Sequence, residues 1–217
     1  PTSVQSLENL RVLDLMSNRL TGSISSELGN LLNLDILYLK NNQLTGTIPP
    51  ELGNLIDLKE LYLSFNQLTG NIPDELGILE NLEKLGLCCN QLTGTIPSVL
   101  GNLTNLEQLY LHGNQLRGAI PSELENLSKL ARILLSKNQL KGEIPLGLSN
   151  LITLADNWSD FRWNAFHTTD GTLRNFLNSK QKDGGDWEST QTIAPANFAV
   201  GTPAATSVPL TWTPITY

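Results

Sequence analysis

The side chains best able to do chemistry in this sequence are two adjacent cysteines, Cys88 and Cys89, and two histidines, His112 and His167. Thiolate and imidazole groups are the ligands that zinc prefers. Neither histidine stands in a metal-binding sequence spacing with a cysteine or an acid, and a single repeat offers no zinc tetrad. Adjacent cysteines are also poorly placed to bridge each other. We therefore expect free thiols at the edge of a sheet, and no metal site.

Other catalytic patterns are also missing from the sequence. No glycine-rich loop follows a strand as a phosphate cradle requires, and no nucleophile elbow is present. Asp156, Asp160 and Asp170, or Asp183 and Asp186, could hold calcium in principle. They lack the spacing of an EF-hand loop, so solvated loops are favoured. We expect a protein that is not an enzyme and has no cofactor.

Composition and charge exclude further classes. The chain has 217 residues, with 14 Lys and Arg against 21 Asp and Glu, for a formal net charge of −7. Nucleic-acid binders depend on clustered cations, so we expect no nucleic-acid partner. No apolar run approaches the roughly 18 residues that indicate a membrane span. No signal-peptide pattern opens the sequence either.

The dominant pattern is a 24-residue repeat, marked by Asn18, Asn42, Asn66, Asn90, Asn114 and Asn138. The repeats read Leu-x-x-Leu-x-x-Leu-x-Leu-x-x-Asn-x-Leu, then Gly, then Ile-Pro, with Ser25 in place of the first proline and Ile133 in place of one leucine. In Leu-x-Leu, alternation sends both leucines inward and the middle residue outward. Such a short strand cannot fold alone, so identical coils must stack. A buried asparagine then requires backbone partners in its turn and in the next coil, which predicts a structural ladder.

These motifs resemble the leucine-rich repeat family, and Leu-Thr-Gly-x-Ile-Pro is similar to its plant-type 24-residue subclass. The resemblance covers roughly residues 7–166. It implies an α/β repeat fold: a right-handed leucine-rich-repeat solenoid with a parallel β-sheet on its concave face. Stretches such as Glu-Leu-Gly-Asn-Leu at 51–55 would form short helical or 3-10 turns outside.

The repeat changes after Asn138. Phe161, Asn164 and Phe166 predict a seventh, bulged coil, because the step from Asn138 to Asn164 is longer by two positions than the steps between the earlier asparagines. A short amphipathic helix is predicted over 169–177, with Asp170 as its N-cap and an apolar face that caps the solenoid. That face consists of Leu173, Phe176 and Leu177. The tryptophans of this region, Trp158, Trp163 and Trp187, are predicted to form the core of the cap, with a ligand-binding aromatic site as the alternative.

Residues 194–217 differ again, being rich in Ala, Thr, Pro and Val. With Trp212 in its second apolar segment, this stretch resembles the first two strands of a fibronectin type III domain, which implies a short β tail. The tail would rest on the cap or on a neighbouring copy. The predicted domains are the solenoid at 1–166, the cap with its short helix at 167–193, and the partial fibronectin type III-like segment at 194–217.

The ends of the chain carry two further expectations. Plant members of the family usually have a cysteine-containing N-terminal cap, whereas this chain begins almost directly with its first repeat. We therefore expect a fragment, or a first coil covered by something else. The missing cap also counts against a plant origin. Leucine-rich repeats followed by fibronectin type III modules look like the architecture of secreted or surface-displayed microbial proteins.

The residues that could bind a partner are those on the outward side of the strands. Three of the four tyrosines, Tyr38, Tyr62 and Tyr110, fall in one column of this surface. Tyrosine is enriched at interfaces, although it also suits an exposed strand. The predicted binding face consists of Tyr38, Lys40, Glu60, Tyr62, Lys84, Gln108, Tyr110, His112 and Arg132. Its mixed charges favour a protein or glycan partner over a polyanion.

Two function classes follow from these observations. The first is a non-enzymatic interaction module of a secreted or cell-surface protein, which binds a protein or glycan on the concave face. The alternative is a structural subunit of an extracellular assembly or filament that self-associates through end-to-end solenoid contacts. Variation among the concave residues favours the first class, and the uncapped first coil favours the second. Glycosylation acceptor patterns begin at Asn102, Asn126 and Asn157, although two of these are also ordinary repeat positions.

Overall fold

The computed structural model describes residues 7–184 and 186–191. The strands in this part of the chain are β1 (Val12–Asp14), β2 (Thr21–Ser23), β3 (Ile36–Tyr38), β4 (Gln43–Thr45), β5 (Glu60–Tyr62), β6 (Lys84–Gly86), β7 (Gln108–Tyr110), β8 (Arg117–Gly118), β9 (Arg132–Leu134), β10 (Gln139–Glu143) and β11 (Ala165–His167). Short 3-10 helices span Ser26–Asn30, Pro50–Asn54, Asp74–Ile78, Ser98–Asn102, Ser122–Asn126, Leu146–Asn150, Lys182–Gly184 and Glu188–Thr190. The helix α1 spans Gly171–Lys180. One concave strand and one 3-10 helix per regular coil is the expected solenoid pattern.

The main sheet is parallel and has six strands in the order β1, β3, β5, β6, β7, β9. Neighbouring strands pair in the register of the repeat, so that Leu37, Leu61, Leu85 and Leu109 are direct partners. All four leucines are 0% exposed. Beyond the concave strands, the shorter strands form further parallel pairs, β2 with β4 and β10 with both β8 and β11. The predicted solenoid with its concave parallel sheet is confirmed.

Glycine has a structural role at two different places in the coils. In the Leu-Thr-Gly-x-Ile-Pro segment, Gly70 and Gly94 have φ of +76°, which side chains with a Cβ resist. In the 3-10 helices, a Cβ on Gly77 would lie 2.7 Å from the backbone oxygen of Val99 in the next coil. The coils can therefore stack closely only where this position has no side chain.

The repeat asparagines connect neighbouring coils through their amides. Asn90 is buried, and its Nδ2 donates to the backbone oxygens of Leu87 in its own coil, at 3.1 Å, and Leu63 in the preceding coil, at 3.1 Å. Its Oδ1 accepts from the backbone N–H of Leu68 at 3.0 Å. Asn18, in the first coil, is exposed instead of buried because no described coil precedes it.

The bulged coil keeps this pattern at its asparagine. Asn164 is buried, donates to the backbone oxygen of Leu135 at 3.0 Å and accepts from the N–H of Leu140 at 3.1 Å. Phe161 and Phe166 replace leucines in the core. The two extra residues therefore bulge out before Asn164, and the coil returns to register there.

The capping helix α1 is confirmed, with Asp170 accepting from the backbone N–H of Leu173 at 2.7 Å. Leu173 and Leu177 are buried under the helix. The prediction for the tryptophans was correct only for Trp187, which is 0% exposed.

Trp158 and Trp163 do not belong to the core of the cap, because they are 53% and 37% exposed. Both lie in the bulged coil, where the 24-residue register no longer indicates which way a side chain points. The predicted fibronectin type III-like segment at 194–217 lies outside the described residues. Among the residues that are described, no helix has the length and apolarity needed to cross a membrane.

Candidate functional site

A groove of about 510 Å³ runs along the concave sheet. We call it the concave groove, and its lining residues are Met16, Tyr38, Lys40, Glu60, Tyr62, Ser64, Phe65, Lys84, Cys88, Gln108, Tyr110, His112, Arg132, Leu134, Trp158 and Lys182. All nine residues of the predicted binding face are among them. Because the strands are in register, the inner coils contribute equivalent positions to the groove.

The tyrosine column forms a packed floor in this groove. The rings of Tyr38 and Tyr62 meet edge to face, with centroids 5.3 Å apart. A Cβ on Gly86 would lie 2.4 Å from the ring of Tyr62, so glycine at this position leaves the room that the ring occupies. The tyrosines were predicted to be exposed. They are half-buried instead, because the rings pack over their neighbours in the sheet.

Burial makes the phenol groups of Tyr38 and Tyr62 weaker acids. It raises the pKa of Tyr38 to about 12, and a hydrogen bond to Glu60 adds to the effect. Burial also raises the pKa of Tyr62, with smaller contributions from the neighbouring Tyr110 and Glu60. Tyr38 and Tyr62 therefore keep neutral hydroxyl groups in the groove across the physiological pH range.

Glu60 is the only acidic residue among the residues that line the groove, and it is already paired. It accepts hydrogen bonds from the hydroxyl of Tyr38 and, at 2.9 Å, from Nζ of Lys84. Burial raises the pKa of Glu60, but these two hydrogen bonds outweigh it and the pKa is lowered overall. The lining also includes Lys40, Lys84, Arg132 and Lys182, so four cations against one anion leave it with an excess of three positive charges.

Two aromatic side chains of the groove hold cations over their rings. The guanidinium of Arg132 lies 4.1 Å from the ring centroid of Trp158, and Nζ of Lys40 lies 5.5 Å from that of Phe65. Neither aromatic residue was in the predicted face. Phe65 could have been found, because it follows the outward Ser64 in a position that varies between repeats. Trp158 could not, because it belongs to the bulged coil.

A second cluster lies where the concave groove meets the ends of β6 and β7. Ligand atoms of Cys88, Cys89 and His112 all lie within 4.8 Å of one another. Cys88 is buried and Cys89 half-buried, and both are free thiols. Burial lowers the pKa of His112, which keeps its ring neutral near pH 7.

The cluster corrects one sequence expectation. The cysteines follow the C-terminal end of β6, at the edge of the sheet formed by the strand ends, and they are free thiols as expected. The histidine was judged too distant in sequence, yet a single repeat separates Cys88 from His112 and brings them side by side. The two residues are therefore brought together by the 24-residue spacing of the repeat and not by a short metal-binding motif.

The aspartates that could hold calcium each have a partner within the protein, and Asp183 lies 3.9 Å from Arg162. Asp156 accepts from Lys180 at 2.6 Å, Asp160 accepts from Arg162 at 2.9 Å, and Asp170 caps α1. Asp186 accepts from the backbone N–H of Glu188 at 2.9 Å. Within residues 7–184 and 186–191, Cys88, Cys89 and His112 form the one group of three potential metal ligands whose ligand atoms lie this close together.

Comparison with solved structures supports this architecture. A separate comparison with curated protein sequences gave no match. Among solved structures, the Arabidopsis receptor kinase HAESA, in complex with the peptide hormone IDA and the co-receptor SERK1, is 39% identical over 75% of this chain and 28% of that one, with a TM-score of 0.71. The LRR ectodomain of GASSHO1/SCHENGEN3 from Arabidopsis thaliana, in complex with CASPARIAN STRIP INTEGRITY FACTOR 2, is 44% identical over 73% of this chain and 19% of that one, with a TM-score of 0.71.

A third similar structure is the plant peptide hormone receptor RGFR1 in complex with RGF2. It is 32% identical over 76% of this chain and 30% of that one, with a TM-score of 0.63. The chain thus spans less than a third of each of these three proteins. All are plant receptors, so the microbial architecture expected from the sequence finds no support here.

The family is shown by a model of the leucine-rich repeat region, which matches residues 1–157. That match includes all six regular repeats and every strand from β1 to β10. The chain belongs to the leucine-rich repeat family.

Proposed function

We propose that this chain is a non-enzymatic binding module of a secreted or cell-surface protein, and that its concave groove holds an extended acidic peptide. The observation that carries this proposal is the charge of the groove. The chain as a whole has a net charge of −7, whereas the groove lining has an excess of three cations. A cationic patch on an acidic protein attracts and orients an anionic partner.

The contacts of Glu60 and Arg132 within the groove also favour an anionic ligand. Glu60 is engaged by Tyr38 and Lys84, so its charge is largely compensated inside the protein. Arg132 lies over the ring of Trp158, which fixes its guanidinium while leaving its N–H donors available. A carboxylate can pair with such a guanidinium through two parallel hydrogen bonds.

The shape of the groove favours an extended chain. Strands of a sheet lie about 4.8 Å apart, so the five spacings between β1 and β9 give a length of about 24 Å. An extended peptide rises about 3.3 Å per residue, which means that about seven residues would cross the whole face. The half-buried rings of Tyr38, Tyr62 and Tyr110 offer rigid contact area with a polar tip to such a ligand.

The structural relatives support a peptide over a glycan. HAESA is described in complex with a peptide hormone, and RGFR1 is described as a peptide hormone receptor. The 39% and 32% identities extend over about three quarters of this chain. The same relatives support a place outside the cell or on its surface.

The proposal is tested by selecting short random peptides, displayed on phage, against the immobilised protein. We expect the recovered peptides to be enriched in Asp and Glu. The reference is a variant in which Tyr38, Tyr62 and Tyr110 are all replaced by alanine, and it should recover none of them. Circular dichroism and the melting temperature show whether that variant is folded. Recovery of basic peptides, or equal recovery by a folded triple variant, would refute the proposal.

A further inference from the structure

The backbone of the repeat brings the two cysteines and His112 together. The N–H of Cys89 donates to the backbone oxygen of His112 at 2.9 Å, which fixes the two residues on neighbouring coils. Cys89 has φ of +57°, in the left-handed region. In an extended strand, adjacent side chains point to opposite faces. The left-handed turn at Cys89 breaks that alternation, so both thiols can approach the same histidine.

The thiol of Cys89 lies beside a glycine of the next coil. A Cβ on Gly113 would lie 3.4 Å from Sγ of Cys89, at van der Waals contact, so the thiol packs against this position. On the other side, Nδ1 of His112 is buried and has no hydrogen-bond partner among the described residues. Leaving a buried polar atom unpaired is unfavourable, so the unpaired ring nitrogen indicates a missing partner.

We propose that Cys88, Cys89 and His112 bind a zinc ion through two sulfurs and one imidazole nitrogen. Their ligand atoms lie within 4.8 Å of one another. Zn–S and Zn–N bonds of about 2.3 and 2.0 Å in a tetrahedral arrangement place ligand atoms about 3.5–3.8 Å apart. The distances between the ligand atoms therefore need to shorten by up to about 1.3 Å around the ion.

The chemistry of the three groups selects this class of metal. Thiolates and imidazole suit zinc, whereas calcium and magnesium prefer oxygen ligands. Each thiol loses its proton on binding, so two protons are released and two thiolate charges balance Zn²⁺. Cys88 and His112 also line the concave groove. The fourth position of the ion faces this groove and takes water or a donor atom of a ligand.

This proposal does not rest on peptide binding, and it is tested with the metal alone. The full chain is reduced, freed of metal with a chelator, and titrated with Zn²⁺ against a chromophoric chelator. Cobalt(II) is a second probe, because thiolate coordination gives it intense charge-transfer absorption. We expect one equivalent of either ion to bind, with two protons released.

The sequence offers matched variants, because it has two cysteines and two histidines. Cys89→Ser and His112→Gln should each weaken binding by more than about 100-fold, since even outer-shell partners of a metal contribute about 10- to 100-fold. His167→Gln removes the other, exposed histidine and should leave binding unchanged. Cys88 is buried, so Cys88→Ser is informative only if its circular dichroism shows a folded protein.

Three results would overturn the proposal. One is unchanged zinc affinity in His112→Gln, and another is cobalt binding without thiolate charge transfer. The third is a mass lower by two hydrogen atoms in the unreduced protein together with no reactive thiols, because the cysteines would then be bonded to each other.

Discussion

At the scale of single residues, the solenoid depends on side chains that serve two coils at once. Asn90 donates to carbonyl groups of its own and the preceding coil, and it accepts from Leu68. Buried backbone groups must be paired, and a short coil cannot pair its own turn. The recurrence of asparagine at the same position in every coil therefore reflects a requirement of the backbone, as the sequence alone indicated.

Replacing Asn90 by leucine should lower the free energy of unfolding by about 1–3 kcal/mol, because several buried backbone groups would lose their partner. Asn18→Leu is the matched control, since Asn18 is exposed and a surface change typically costs less than about 0.5 kcal/mol. Chemical denaturation of both variants measures the difference. Equal stabilities would remove the asparagine ladder from the account.

The carboxylate of Glu60 makes the stability of the fold depend on pH. Burial acts to raise its pKa, but hydrogen bonds from Tyr38 and Lys84 outweigh burial and lower the pKa in the folded protein. A carboxyl whose pKa is lowered stabilises the fold above its unfolded pKa, and this contribution is lost as the pH falls through the folded pKa.

Glu60→Gln should therefore lower the melting temperature near pH 7, with a loss of about 1 kcal/mol in stability. Below the ordinary pKa of 4.5, the difference from the wild type should shrink as the wild-type carboxyl becomes protonated. Thermal melts across this acid range test the sign. A difference that stays constant with pH would show that the ionised carboxylate does not contribute.

At the scale of the secondary-structure elements, the 24-residue period determines how far prediction could go. The concave strands and α1 were predicted because each has a local pattern, the Leu-x-Leu alternation in one case and a capped amphipathic segment in the other. Trp158 was misplaced because the bulge of two residues before Asn164 breaks the register. The cluster of Cys88, Cys89 and His112 was missed for the opposite reason, because the comparison was made along the chain and not across neighbouring coils.

Stacking of the 3-10 helices makes a sharp prediction for one glycine. Gly77→Ala places a Cβ 2.7 Å from the backbone oxygen of Val99, and the coil must shift to relieve that contact. We expect a loss of about 1–3 kcal/mol, as for other overpacked sites. Gly171→Ala is the control, because a Cβ there meets no atom within 4 Å at the start of α1.

The control should be neutral or stabilising by up to about 1 kcal/mol, since alanine restricts the unfolded chain more than glycine does. Urea unfolding of both variants measures the difference in their stabilities. A Gly77→Ala protein as stable as Gly171→Ala would mean that the outer turns are not packed as closely as described.

At the scale of the whole molecule, the lining of the concave groove carries an excess of positive charge together with the tyrosines, although the chain is acidic. Asn102 and Asn126, which begin two glycosylation patterns, are exposed at the ends of outer 3-10 helices. A glycan at either position would leave the concave groove open. The placement of the groove on the sheet is thus compatible with a modified outer surface.

The alternative function, assembly through end-to-end contacts, stays a prediction with its own measurement. If binding is the function, light scattering in dilute buffer should give the monomer mass of 23.8 kDa at every protein concentration. A mass that grows with concentration would favour the assembly.

The central claim, that the concave groove binds an acidic peptide, is tested most directly by comparing two arginines. Arg132→Gln removes a cation from the groove, and Arg117→Gln removes one from β8, where the side chain is exposed outside the groove. Both changes alter the net charge equally. Binding of an acidic peptide recovered in the display selection is measured by fluorescence anisotropy. We expect Arg132→Gln to weaken it by about tenfold, or about 1.4 kcal/mol, and Arg117→Gln to leave it unchanged. Equal effects of the two changes would contradict the account, because the peptide would then respond only to total charge.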